Sequence, residues 1–391
     1  MRIAARMGVI GTEGALEFSA RARALEAEGR SIVHLQIGEP DFETPAHVRD
    51  AAKVALDQGQ THYPPFAGIP ALREAIAADV TARKGFLVDP AQTFVTVGGK
   101  GAMAYAFLGL VEPGDEVLVP DPGFPIYDSL TRFLGATPVS IPIRMGNDFR
   151  LDVDEVASLI TPRTRLLVLN SPANPTGGVL TRGDMERIAD FAIRHDLWVL
   201  SDEIYGRILY DGAEHVSIAS LPGMAERTIV LDGFSKTYAM TGWRLGYAVV
   251  PPSLVETYGR LIINTVSGAT TFAQIGAVAA LTGPQDDVDA MLVEFEARRE
   301  LVVAGLDAIP GLECRRPVGA FYVFPSVVGT GLDGAAFAAR LLDEAGVCVV
   351  PGSAFGALGA DHVRISYASS RDNLTEALRR IGVFAEGLRG G

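Results

Sequence analysis

Short apolar runs alternate with helical patterns through the middle of the chain. The spacing predicts strands over 92–97, 116–119, 166–169, 197–200, 228–231 and 247–250, and an extended segment over 137–143. It predicts helices over 99–111, 125–134, 152–160 and 182–195, with Asp152 and Thr181 opening the last two. Strands without polar alternation, spaced by helices of this length, imply a mostly parallel sheet covered on both faces.

The ends read differently. A helical pattern covers 16–28 and an extended run follows over 32–36. Past about residue 285 come a long charged helix over 288–306, a strand-like 320–324, a helix over 334–345, strands over 347–350 and 363–366, and a last helix over 374–388. The expected organisation is a large α/β domain over 46–285 and a smaller α+β domain built from both termini. Residues 1–45 supply an arm and part of the small domain, and 286–391 supply the rest. The stretch 261–285 carries no charge, but Asn264, Ser267, Gln274 and its threonines make it too polar to span a membrane. It reads as interior helices joined by a Ser/Gly loop.

Composition narrows the function classes. The chain has 391 residues, 48% hydrophobic and 21% charged, enough to bury a sizeable core. A net charge of −13 and a pI near 5.0 argue against non-specific binding to nucleic acid or to an anionic membrane. Cys314 and Cys348 fit no metal spacing, and the six histidines form no metal pattern. No metal is expected. A reducing cytoplasm is the expected compartment, and the apolar run at the start is too short for a signal peptide.

Lysine usage points to the chemistry. Only four of the 34 basic residues are lysine: Lys53, Lys84, Lys100 and Lys236. Arginine cannot act as an amine nucleophile, whereas lysine can once its proton affinity is lowered. Lys53 sits in a helical pattern over 48–55, and Lys84 precedes Gly85 at a helix end; both read as structural. Lys236 instead lies in a loop directly after a strand, eight residues before Arg244. Open α/β sheets place ligands beyond strand ends.

Three further strand ends support that placement. Gly98-Gly99-Lys100-Gly101 opens a helix, where bare backbone N–H groups and the helix dipole attract an anion. It fits neither the P-loop nor the dinucleotide fingerprint. Asn170-Ser-Pro-Ala-Asn174-Pro-Thr-Gly177 is a rigid loop after a buried strand. Asp202, in Asp202-Glu-Ile-Tyr205, needs a partner such as an aromatic N–H⁺ if it is buried.

In order and combination, these motifs resemble the class I/II aminotransferases, pyridoxal-phosphate enzymes of fold type I. The resemblance runs from Gly38-Glu-Pro-Asp41 to Val363-Arg-Ile-Ser-Tyr367. It implies a seven-stranded, mostly parallel sheet between helices, a smaller α+β domain, and a homodimer with shared active sites. Carried over by motif, Lys236 is the Schiff-base lysine and Asp202 pairs with the pyridine nitrogen. Tyr205 and Asn174 bond the ring hydroxyl oxygen, and Phe124 stacks on the ring. The phosphate is expected at Gly99, Lys100, Ser235 and Arg244, with Tyr63 from the partner subunit. Arg364 is expected to bind the substrate α-carboxylate, with Gly38 and Asn174 beside it. One departure stands out: many relatives have serine three residues before the lysine, where this chain has Gly233. The implied reaction moves an amino group between an L-amino acid and a 2-oxo acid. Lyases, decarboxylases and amino-acid oxidases on the same fold keep the same residues, so the motifs leave that alternative open.

Overall fold

The computed structural model describes residues 1–11 and 14–389, without the side chain of Arg389. Seven strands form the main sheet: β1 (Thr93–Val97), β2 (Glu116–Asp121), β3 (Thr137–Pro142), β4 (Thr164–Asn170), β5 (Trp198–Asp202), β6 (Thr228–Gly233) and β7 (Leu245–Val249). Their order across the sheet is β1-β7-β6-β5-β4-β2-β3. Strand β7 runs antiparallel to both neighbours, and every other pairing is parallel.

Apolar cores lie on both faces of this sheet. Leu167, Leu169 and Val199 join one cluster, while Leu166, Val168 and Leu200 join another. Successive strand residues point to opposite faces, so a strand buried on both sides must be apolar throughout. This is why the central strands were readable as continuous runs.

The expected helix starts are present. Thr181 caps Arg182–Arg194 and exchanges hydrogen bonds with Asp184. The Asp152 side chain caps Val153–Ser158. The uncharged stretch covers the end of the helix Val255–Thr265 and the whole of the helix Thr271–Thr282. The fully buried Gln274 amide joins two loops, accepting from Ile69 N at 2.9 Å and donating to Ala269 O at 2.8 Å.

The smaller body draws on both ends of the chain. Val33–His34 pairs in parallel with Val347–Cys348, and Val363–Ser366 lies between Val350–Pro351 and Tyr322–Val323. The run expected over 347–350 is thus split between two sheets. The strand expected over 320–324 is ladder-paired only at Tyr322–Val323, because Ala320 turns through a positive φ of 58°. The helix Asp286–Asp307 packs against the last helix, Arg371–Arg389. Among the described residues, no helix is long and apolar enough to cross a membrane.

Candidate active site

The C-terminal ends of β4, β5 and β6, the start of the helix Gly98–Leu110 and the strand Val363–Ser366 surround one cavity of about 450 Å³. Its walls include Gly38, Gly99, Lys100, Phe124, Asn174, Asp202, Tyr205, Ser235, Lys236, Arg244 and Arg364. Every residue expected at the site is therefore brought together, except Tyr63. Tyr63 is 91% exposed and lies away from this cavity.

Asp202 ends β5, and its carboxylate is buried. Tyr127 donates to its Oδ2 at 2.7 Å, and the Ile204 N–H approaches Oδ1 at 3.3 Å. Burial pushes this carboxyl up to about 6, against the pull of those two donors. A buried cation in the cavity would reverse that shift. Tyr127 was not anticipated from the sequence; it lies in the apolar pattern of Ile126–Phe133 and looks there like a core residue.

Lys236 follows β6 by three residues and donates to Gly38 O at 2.6 Å. Its ammonium lies 5.9 Å from the centre of the Phe321 ring. Tyr205 and Tyr322 share a hydrogen bond of 2.8 Å, and burial raises the Tyr205 hydroxyl well above its usual range. Tyr322 is the second residue the sequence did not reveal. A Cβ at position 38 would come within 2.1 Å of its hydroxyl, so only glycine fits there.

Arg244 sits in the left-handed region at φ 54°, an uncommon conformation for a residue with a side chain. Its guanidinium packs over Gly98, where a Cβ would meet Nη2 at 2.5 Å, and donates to Thr241 O at 2.9 Å. A Cβ at Gly246 would strike the Gly99 nitrogen at 2.5 Å. The glycines thus let β7 close up under the N-terminus of the helix Gly98–Leu110. Helix N–H groups, Ser235 and Arg244 together make a cradle suited to a phosphate. Gly233 has a steric cause: a Cβ there would lie 2.9 Å from Gly246 Cα.

Arg364 is buried among acceptors and rings. It donates to Asn174 Oδ1 at 3.0 Å and to Gln36 O, and its guanidinium lies 4.6 Å from the Tyr322 ring centre and 4.9 Å from that of Phe355. It faces the same cavity as Lys236 and Asp202.

Lys84 differs from its expected role. It does end the helix Pro70–Lys84, but its side chain is 2% exposed. It lies 2.7 Å from Glu203 and 2.8 Å from Asp232. Lys53 is exposed and pairs with Asp50 at 3.0 Å. Among the described residues, no group of His, Cys, Asp and Glu is placed to hold a metal.

This sheet order, with a buried carboxylate, an amine and a buried arginine around one cavity, is the arrangement a pyridoxal-phosphate-dependent enzyme of fold type I requires. The profile of aminotransferase class I and II matches residues 30–381, and the chain belongs to that family. It is 46% identical to aromatic-amino-acid aminotransferase 2 of Thermococcus litoralis over 90% of each chain. It is 39% identical to an aspartate aminotransferase of Geobacillus stearothermophilus over 99% of each. The solved aspartate aminotransferase from Thermus thermophilus with maleate superposes with a TM-score of 0.94 at 40% identity, covering 98% of this chain and 100% of that one. The protein is an aminotransferase: it uses pyridoxal 5'-phosphate to move an amino group between an amino acid and a 2-oxo acid.

Proposed function

We propose that Lys236 is the amine that holds the cofactor and carries the substrate proton. The supporting observation is its place in the cavity that Asp202 and Arg364 also line. When bound, the cofactor supplies an electron sink for the substrate α-carbon. Asp202, ionised, keeps the ring nitrogen protonated. Tyr205 and Asn174 would bond the ring oxygen, and Phe124 would cover the ring. The N–H groups of Gly99 and Lys100, the Ser235 hydroxyl and the Arg244 guanidinium would hold its phosphate. Arg364 holds the α-carboxylate beside Gly38 and Asn174. The Lys236 amine would carry the substrate proton, and one positioned base of this kind contributes roughly 10²–10⁴-fold.

The working unit we propose is a homodimer in which Tyr63 completes the partner's phosphate site. Its support is a set of exposed apolar side chains. Tyr63 and Phe66 are exposed, and so are Ile263 and Val266 of the helix and loop beneath them. The two segments are packed together: Thr271 Oγ1 donates to His62 O at 2.6 Å, and Gly259 makes room for the Phe66 ring. Exposed apolar side chains on two packed segments suit a self-complementary contact. The compartment we propose is the cytoplasm. Burial pushes both the Cys314 and Cys348 thiols up to about 12, which suits inert, reduced cysteines.

The deciding experiment is an absorbance spectrum of the purified protein from 300 to 500 nm, taken with Lys236→Ala alongside. The wild-type protein should show a visible band that one amino acid removes and a 2-oxo acid restores. Lys236→Ala should lack both the band and turnover; full turnover in that variant refutes the assignment.

A further inference from the structure

Next in sequence to Asp202 and Leu231, which line the cavity, Glu203 and Asp232 belong to a buried charge cluster that the reaction as described does not use. Lys84 reaches it from the end of the helix Pro70–Lys84. Its ammonium bonds Glu203 Oε2 at 2.7 Å and lies 2.8 Å from Asp232 Oδ2. Glu203 follows Asp202 directly and starts the turn that carries Tyr205. Asp232 lies in β6, four residues before Lys236. We propose that Lys84 is a positioning residue for this reaction: it ties the Asp202–Tyr205 turn to the strand leading into Ser235 and Lys236, and its charge sets the electrostatic environment of Asp202. This rests on the assignment of Asp202 and Lys236 given above.

The geometry distinguishes this from an ordinary helix-end cation. Such a lysine stays in water, where solvent and salt screen its interaction with the helix dipole. Here the ammonium and both carboxylates are almost fully buried. Burial disfavours ionisation of Glu203, yet Lys84 and His215 outweigh it and hold that carboxyl well below its usual range. The remaining valences of Glu203 are filled. Oε1 accepts from Ser201 at 2.8 Å and Ser217 at 2.7 Å, and Oε2 faces His215 Nε2 at 2.8 Å. Asp232 accepts from Gly233 N at 2.7 Å and Tyr247 at 3.2 Å. Arg83, paired with Asp79 on the same helix, adds a positive charge near Asp232 and Tyr247. Asp202 feels the carboxylates of both Asp232 and Glu203, and both oppose its ionisation. Lys84 is the cation set between those two carboxylates.

Changing one charge in the cluster should therefore be felt at the cofactor. The test is a pH titration of the visible cofactor band in wild type and three variants. Lys84→Met adds net negative charge and should raise the band's midpoint by about one pH unit. Asp232→Asn removes one negative charge and should lower it, with Lys84 still paired to Glu203. The double variant Lys84→Met/Asp232→Asn should return close to wild type. Melting temperatures are recorded in parallel. Midpoints unmoved in all variants, with only melting temperatures lowered, would reduce Lys84 to a structural residue and overturn the proposal. If Lys84→Met does not fold, Asp232→Asn decides alone by the sign of its shift: a fall supports the proposal, and no change or a rise overturns it. If wild type itself shows no visible band, the assignment of Lys236 fails instead.

Discussion

The Arg364 guanidinium donates to Asn174 Oδ1 at 3.0 Å, joining residues 190 positions apart. That bond ties a strand of the smaller body to the loop after β4. It also fixes the guanidinium fork before any substrate arrives. Arg364→Lys keeps the charge and loses the fork. It should raise KM for both amino acid and 2-oxo acid about 10²-fold, corresponding to roughly 3 kcal/mol. Cofactor affinity should change less than threefold. Stopped-flow half-reactions that separate saturation from cofactor binding check this.

Asp202 predicts a pH dependence. Its carboxyl, raised to about 6 by burial, must be ionised to pair with the ring nitrogen. Apparent cofactor affinity should therefore fall about tenfold per pH unit below 6. Without cofactor, the sign works the other way on stability. Burial favours the protonated carboxyl, so this group's contribution to folding is present below pH about 4 and lost as pH rises through about 6. Titrating cofactor into the apo protein at pH values from about 4.5 to about 8 checks the first. Asp202→Asn should bind weakly and show a flat profile.

Two glycines should respond differently to one added methyl. At Gly98 the Cβ meets the far end of Arg244, and φ is +67°. Gly98→Ala should weaken cofactor binding roughly tenfold through a displaced guanidinium, at a cost of about 1–2 kcal/mol in folding. At Gly246 the Cβ meets only backbone of Gly98 and Gly99. Gly246→Ala should destabilise by more, about 3 kcal/mol, because no side chain can move aside. Urea midpoints and cofactor titrations separate the two effects.

Tyr63 can be tested by mixing. Tyr63→Ala and Lys236→Ala should each be impaired alone. In a mixed dimer, one site combines an intact Lys236 with the partner's intact tyrosine. Random mixing should restore about one quarter of the wild-type sites. Failure to recover activity after subunit exchange would remove Tyr63 from the partner's site.

Much of this architecture was readable because the chemistry sits at strand ends. Continuous apolar runs located β4, β5 and β6, and the polar residues just beyond them, Asn174, Asp202 and Lys236, line the cavity. Tyr127 and Tyr322 escaped notice because an aromatic in an apolar pattern looks like core until its hydroxyl's partner is known. Lys84 escaped for a related reason. Its partner Glu203 is 119 positions away, and nothing local distinguishes a buried helix-end lysine from a solvated one. The motif Asp202-Glu-Ile-Tyr205 contained the hint: its second carboxylate had no assigned cation.

The reversed direction of β7 has a consequence for how the site keeps its dimensions. Gly233 and Gly246 pair across β6 and β7, so the chain from 234 to 245 is a loop closed at its base. Both the amine of Lys236 and the guanidinium of Arg244 hang on that single loop. The span between the point that would grip a phosphate and the point that would meet its aldehyde is thus a local ruler. It is set by one segment of fixed length and survives whatever small motions the two bodies make against each other. Substrate range can then drift through residues on the other walls while the ruler, and the cofactor it measures, stays the same.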